Sequence, residues 1–218
     1  MYPTFDCLLK ECPLCGDFLL YCCACNNQRS FPPSRHSNLP CHHYRIMFTD
    51  GACTNNGQRS AKAGIGVAYG NTDDSQFSVP ITDLADNFPL RSNQRAELYA
   101  AIKGLQFLDE ANKKINPKEP TGVRKDKDEA WIIATNSEYV ARGMTEWLPT
   151  WKRNNWRTAK YTKPVNLDLF LALDSLMAKH EAKDVKIGFW RIPREHNTLA
   201  DSLAQAAAVH GDMASIQA

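Results

Sequence analysis

Beyond residue 43 the chain alternates between short apolar runs and polar turns, and the alternation predicts most of its elements. "YRIMFTD" reads as a strand ending at Asp50, and "GACTNNG", with its glycines and asparagines, reads as the turn after it. "AGIGVAYG" and "QFSVPI" read as two further strands. Short, sequential and turn-linked, the three predict an antiparallel meander. Apolar positions then recur at helical spacing and predict a long helix over 93–112. "NKKINPKEPTGVRKDKDEA" is charged and contains proline, as a solvated loop would be. "AWIIAT" reads as a buried strand, followed by helical segments over 137–153, broken at Pro149, and over 166–179. "DVKIGFW" is the last strand. "NTLADSLAQAAAVHG" is an alanine-rich closing helix with Asn197 at its N-cap. Three strands, helix, strand, helices, strand, helix: this order implies an α/β fold, a mixed five-stranded sheet flanked by helices.

The first 43 residues break the pattern. Seven of the eight cysteines lie there, which marks 1–43 as a Cys-rich N-terminal extension, 44–210 as the main domain and 211–218 as a tail. "CPLCG" supplies Cys12 and Cys15, and "CCAC" supplies Cys22 and Cys25. Each Cys-x-x-Cys spacing lets two thiolates grip one tetrahedral Zn2+. Cys41 and His43 are able to complete a site with either pair; the alternative is a reduced, Cys-rich tail. The apolar run "FLLYCCAC" is too short to span a bilayer and lacks a basic stretch before it, so neither membrane anchoring nor secretion is expected. A nuclear or cytoplasmic monomer is the expectation, with thiols reduced rather than paired. Net charge is only +2, so any affinity for nucleic acid must come from local clustering.

Two acids sit where acids are costly. Glu97 shares a helical face with Ala101, Gly104, Leu105 and Leu108, and Asp201 shares one with Ala204 and Ala208. A carboxylate on an apolar face costs several kcal/mol unless paired or metal-bound. An edge position reaching solvent is the plain alternative for Glu97. Asp50 ends the first strand and Asn136 the fourth, and open α/β sheets bind ligands beyond the carboxyl ends of their strands. Three acids and one amide converging there would repel unless hard cations neutralise them. Mg2+, or Mn2+ in its place, suits such oxygen donors better than zinc. Asn136 taken alone is an ordinary helix cap.

Together these stretches resemble type 1 ribonuclease H, in the form found in eukaryotes such as fungi. "FTDGACTNNG" is similar to the family's first-strand motif, "SNQRAELYA" to its helix motif, "ATNSEYV" to its Thr-Asp-Ser-x-Tyr-Val, and "PREHNTLADSLA" to its final motif. "WLPTWKRNNWRT" with "KPVNLDLF" resembles the helix and basic protrusion that handle the DNA strand. The resemblance covers residues 44–210. It implies an RNase H-like fold and hydrolysis of the RNA strand of RNA/DNA hybrids by two Mg2+ or Mn2+ ions, held by Asp50, Glu97, the Asn136 position and Asp201. It implies that Asn93 and Gln94 contact sugar edges in the minor groove, that Trp151, beside Trp147, packs on DNA sugars, and that Asn166 lies at a phosphate pocket. Six basic residues (Arg142, Lys152, Arg153, Arg157, Lys160, Lys163) against one acid, Glu146, interleave there with Trp147, Trp151 and Trp156. The plainer reading of Trp147 and Trp151, four apart, is the buried side of a helix.

Two departures qualify the implied activity. Asn136 stands where the family has Asp, taking the quartet from four negative charges to three. An impaired nuclease follows from this, or alternatively a hybrid-binding protein that does not cut. Arg191 occupies the position of a mobile histidine that assists product release; Arg191, Glu195 or His196 would have to substitute, and His196 also reads as a plain exposed residue.

Overall fold

A computed structural model describes residues 5–22, 42–87, 89–113 and 130–210. The expectations for Cys25, Cys41, most of the charged loop and the tail fall outside these residues. Strands β1 (Leu9–Glu11) and β2 (Phe18–Leu20) follow a one-turn helix α1 (Phe5–Leu8). Then come β3 (Tyr44–Thr54), β4 (Lys62–Ala68), β5 (Gln76–Ile81), α2 (Asn93–Lys113) and β6 (Ala130–Thr135). Helices α3 (Glu138–Arg142), α4 (Leu148–Arg153) and α5 (Leu167–Glu181), strand β7 (Lys186–Arg191) and helix α6 (Thr198–His210) complete the order. Among the described residues no helix is long and apolar enough to cross a membrane.

Strand β3 organises the sheet. It pairs antiparallel with β4, which pairs antiparallel with β5. On its other edge it pairs in parallel with β6, and β6 in parallel with β7. Parallel neighbours need crossover connections, and the helices between β5 and β6 and between β6 and β7 supply them. All five expected strands are present in a mixed sheet.

Two additional strands come from the Cys-rich segment, which composition had set apart. Strand β4 stops at Ala68, opposite Phe48, so the first residues of β3 have a free edge. The β1–β2 hairpin occupies it, with Leu19 opposite Arg45 and Phe18 N–H donating to the Tyr69 carbonyl at 2.8 Å. Covering a sheet edge removes a template for unwanted pairing. Leu19 is fully buried there.

Period-two alternation divides the core. Met47, Trp131 and Ile133 face α2 and α5, where Leu98, Leu105, Leu108, Phe170 and Leu173 are buried. Ile46, Phe48 and Ala134 face the other way, against Ala200 of α6 and against Phe5, Leu9, Phe18 and Leu20 of the N-terminal segment. The alanines of α6 let it lie close on the sheet. A Cβ at Gly66 of β4 would overlap the Ala200 carbonyl and the Ala204 backbone, so glycine there sets the height of α6 and of the Asp201 it carries.

Pro149 does not break its helix as expected. Lacking an N–H and crowding the carbonyl four residues back, it follows a single π turn, Gly143–Trp147, that leads directly into α4.

Candidate active site

Strand β3 does not end at Asp50. Residues 51–54 continue it, paired with β4, and the turn comes only where Asn55 and Gly57 adopt positive φ. The parallel ladder with β6, however, stops at Phe48 opposite Ala134. Asp50 therefore lies just past the last β6 partner, where the sheet opens.

Asp50 is 4% exposed. Its Oδ1 accepts from the Gly51 N–H at 2.9 Å, and its Oδ2 is buried without a hydrogen-bond partner. Burial is the main cause that pushes its pKa up to about 7; the Gly51 N–H opposes the rise, and the charges of Asp201 and then Glu97 add to it. Glu97 comes from the first turns of α2, which press against β3 so closely that a Cβ at Gly51 would overlap the Ala96 and Glu97 backbone. Its carboxylate accepts from Asn93 Nδ2 at 2.9 Å and from Ser137 Oγ at 2.5 Å. Burial raises its pKa, and the Ser137 hydroxyl holds it back. Its partners in the structure are thus neutral donors.

Asn136 is not the helix cap. Ser137 caps α3, accepting from the Val140 N–H at 3.3 Å. Asn136 Oδ1 instead accepts from Asn197 Nδ2 at 2.6 Å, and the same amide donates to the Thr49 carbonyl at 3.1 Å. Asn197, expected only to cap the last helix, is fully buried and ties its entry to β3 and to the Asn136 loop. Asp201, in the first turn of α6, accepts from Arg194 Nη2 and Gln205 Nε2, both at 2.7 Å. A carboxylate in that turn also gains from the helix dipole.

The structure brings Asp50 close enough to Asp201 and Glu97 for each to disfavour its charge. Even so, among the described residues the one set of three acidic, Cys or His ligands with atoms all within 4.8 Å of one another is Cys12, Cys15 and His42. The donors are all oxygens and include an unpartnered buried carboxylate oxygen, so the set fits a hard cation such as Mg2+ or Mn2+.

The expected nucleic-acid residues divide. Asn93 is engaged by Glu97, while Gln94 is exposed. Trp147 and Trp151 are half-buried: Trp151 meets Phe170 edge-on at 5.1 Å and belongs to the rim of the core, and Trp147 lies 6.2 Å from it beneath the Arg142 guanidinium. Trp156 is half-buried too, brought back by positive φ at Asn155 and at itself. Arg142 is ion-paired to Glu138 and Glu146, and Lys152 to Asp174. Arg153, Arg157, Lys160 and Lys163 are exposed and have no ion pair among the described residues.

Asn166 is buried at the mouth of α5 with positive φ, accepting from Arg95 Nη1 at 3.2 Å and donating to the Tyr139 hydroxyl at 3.2 Å. Arg95 is the anchor missed in the sequence. It is 3% exposed and holds Asp86 by two hydrogen bonds of 2.8 Å and Asp168 by bonds of 3.2 and 2.8 Å. Its place two residues before Glu97 in "NQRAEL" was the available signal. Arg191 pairs with Glu138 at 3.4 Å, and His196 stacks on Phe5 at 4.4 Å, so neither is simply a free surface group. The basic side chain on Asp201 is Arg194.

In the N-terminal segment Cys15 Sγ lies 3.4 Å from His42 Nε2, and Cys22 Sγ lies 3.7 Å from His43 Nδ1. Among the described residues the group whose ligand atoms lie within 4.8 Å of one another is Cys12, Cys15 and His42; Cys22, expected with Cys12 and Cys15, is not in it.

A family model described as RNase H matches residues 42–209. Ribonuclease H of Tolumonas auensis is 31% identical over 166 residues, covering 75% of this chain and 88% of its own. That of Halorhodospira halophila is 35% identical over 162 residues, covering 72% and 87%. Among solved structures, LC11-RNase H1 in complex with an RNA/DNA hybrid has a TM-score of 0.51 at 22% identity, over 76% of this chain and 97% of that one. The PFV RNase H domain also has a TM-score of 0.51, at 20% identity, over 76% and 94%. At these identities the structural likeness is one of fold.

Proposed function

The chain belongs to the ribonuclease H family, and from that premise we propose that it is an endoribonuclease for the RNA strand of RNA/DNA hybrids, slowed by Asn136. The observation that carries the reading is Asp50: a buried carboxylate with one unpartnered oxygen, beside Asp201 and Glu97, inside the region matched by the family. Residues 44–210 form the nuclease domain, acting as a monomer. Mg2+, or Mn2+ in its place, supplies when bound a Lewis acid for the attacking water and for the leaving oxygen. Asp50, Glu97, Asp201 and the Asn136 amide oxygen are the donors that hold it. Asn197 orients the Asn136 oxygen, and Ser137 orients Glu97. A neutral amide leaves the donor set one charge short, which weakens cation retention while keeping the oxygen in place. Asn93 and Gln94 face the sugars, where the 2′-hydroxyl separates RNA from DNA. Trp147, Trp151 and Asn166, with Arg153, Arg157, Lys160 and Lys163, take the DNA strand and its phosphates in the manner of the eukaryotic basic protrusion. The N-terminal thiols hold a structural Zn2+ and take no part in the reaction.

A second reading is a hybrid-binding protein that does not cut. It is favoured by the Asn136 oxygen already accepting a short hydrogen bond from Asn197. The two are separated with an end-labelled RNA/DNA hybrid, duplex DNA and duplex RNA, assayed for binding and cleavage in Mg2+ and in Mn2+. Selective binding with slow release of 5′-phosphate and 3′-hydroxyl RNA ends is the expected result. Binding without cutting selects the second reading, and no preference for the hybrid overturns both.

A further inference from the structure

We propose that Cys12, Cys15 and His42 form a Zn2+ site that clamps the N-terminal hairpin to the root of β3. One ligand atom from each lies within 4.8 Å of the others, and Cys15 Sγ is 3.4 Å from His42 Nε2. A Zn2+ ion with bonds of about 2.0–2.3 Å places its ligand atoms about 3.3–3.8 Å from one another, so small side-chain adjustments close this set around one ion.

The backbone is already shaped for it. Cys12 N–H donates to the Asp17 carbonyl at 2.9 Å and Gly16 N–H to the Cys12 carbonyl at 2.8 Å, folding "CPLCG" into a tight turn at the tip of β1–β2. Gly16 has φ of +77°, a conformation that residues with a Cβ rarely adopt. Cys12 is buried at 2% exposure although its neighbour Leu14 in the same turn is 68% exposed, so the thiol is turned inward while the apolar side chain is left in water. Both thiols are free. The fourth position is left to a donor outside these three.

The consequence is mechanical. The hairpin meets β3 through one paired residue, Leu19 with Arg45, supplemented by the Asp17–Gly70 bridge. His42 lies two residues before β3 begins at Tyr44. A metal joining residues 12, 15 and 42 therefore ties the hairpin to the strand that carries Asp50, and keeps Phe5, Leu9, Phe18 and Leu20 on the Ile46 and Phe48 face. Binding energy of this kind becomes folding energy of the segment. The site stands apart from the nuclease reading, because metal content is measured without activity.

The test is elemental analysis of the full chain purified under reducing conditions, followed by Co2+ substitution. The expected result is about one Zn2+ per chain, with the thiolate-to-cobalt charge-transfer and tetrahedral d–d bands after exchange. Cys12→Ser and His42→Ala should each fall to below about a tenth of an equivalent. Cys53→Ser, on β3 and outside the set, should keep the metal and shows that a thiol loss as such is tolerated. Less than about a tenth of an equivalent in the unaltered reduced chain overturns the proposal. So does full zinc retention in His42→Ala, or a stable Cys12–Cys15 disulfide that forms in preference to metal binding.

Discussion

Replacing Asp50 by Asn should stabilise the protein in the absence of divalent cations, by an amount that grows as pH rises from about 4 and levels off above about 7. Asp50 titrates near 7 in the folded chain and near 3.8 unfolded. A carboxyl whose folded pKa is raised contributes stability that is fully present below the unfolded value and is lost as pH rises through the folded one. The difference of about three pH units corresponds to about 4 kcal/mol in total, of which rather more than half is lost between pH 5 and pH 8. Asn keeps an oxygen for the Gly51 N–H and carries no charge to desolvate. The measurement is urea unfolding of both chains at pH 5 and pH 8, without Mg2+ and without a chelator that would strip the thiols. The stability gap should widen in favour of Asp50→Asn by about 2–3 kcal/mol, a midpoint shift of about 1 M urea at a slope typical of a domain this size. Saturating Mg2+ at pH 8 should close the gap by binding the ionised site. An equal gap at both pH values would refute the picture of a buried carboxylate waiting for a cation.

Three further outcomes follow from the packing. Gly66→Ala places a methyl against the Ala200 carbonyl, so α6 must rise; a loss of about 1–3 kcal/mol in thermal or urea unfolding is expected, together with weaker Mg2+ binding because Asp201 moves with the helix. Asp86→Ala removes two hydrogen bonds and one ion pair from the buried Arg95 and should cost about 3 kcal/mol, read by the same unfolding curves; an unchanged midpoint would mean that Arg95 is not anchoring α2. Changing Arg157, Lys160 and Lys163 together to Gln should leave unfolding unaltered and flatten the salt dependence of hybrid binding by about one unit of slope per residue. An unaltered slope would remove this surface from the nucleic-acid interface.

How much of this was readable in the sequence depended on how local the cause was. Glu97 and Asp201 stood out because each interrupts an apolar helical face within its own segment; burial raises the pKa of Glu97, while Asp201 is half-buried and paired with Arg194. The length of β3 was not readable: "GACT" looks like a turn until residues 62–65 of β4 pair with it. The hairpin was hidden for a similar reason, since its three-residue strands are stabilised by an edge of β3 that exists only because β4 is short. Pro149 carried a local signal that the wider π turn overrode. The Arg95 network joins positions 71 and 73 residues apart, and nothing near Arg95 announces Asp86, Asn166 or Asp168. Trp151 is half-buried against Phe170, as the plainer reading expected, and it keeps an exposed part that the proposed DNA contact requires.

In the proposed nuclease, Asn136 occupies the position that limits turnover in an otherwise competent donor set. The most direct test of this compares the chain with Asn136→Asp on a labelled RNA/DNA hybrid at saturating Mg2+, measuring single-turnover cleavage. Restoring one charged ligand to cations that supply several kcal/mol of transition-state stabilisation should speed cutting by about a hundredfold or more. Equal rates for the two chains, or binding by both with cutting by neither, would contradict it.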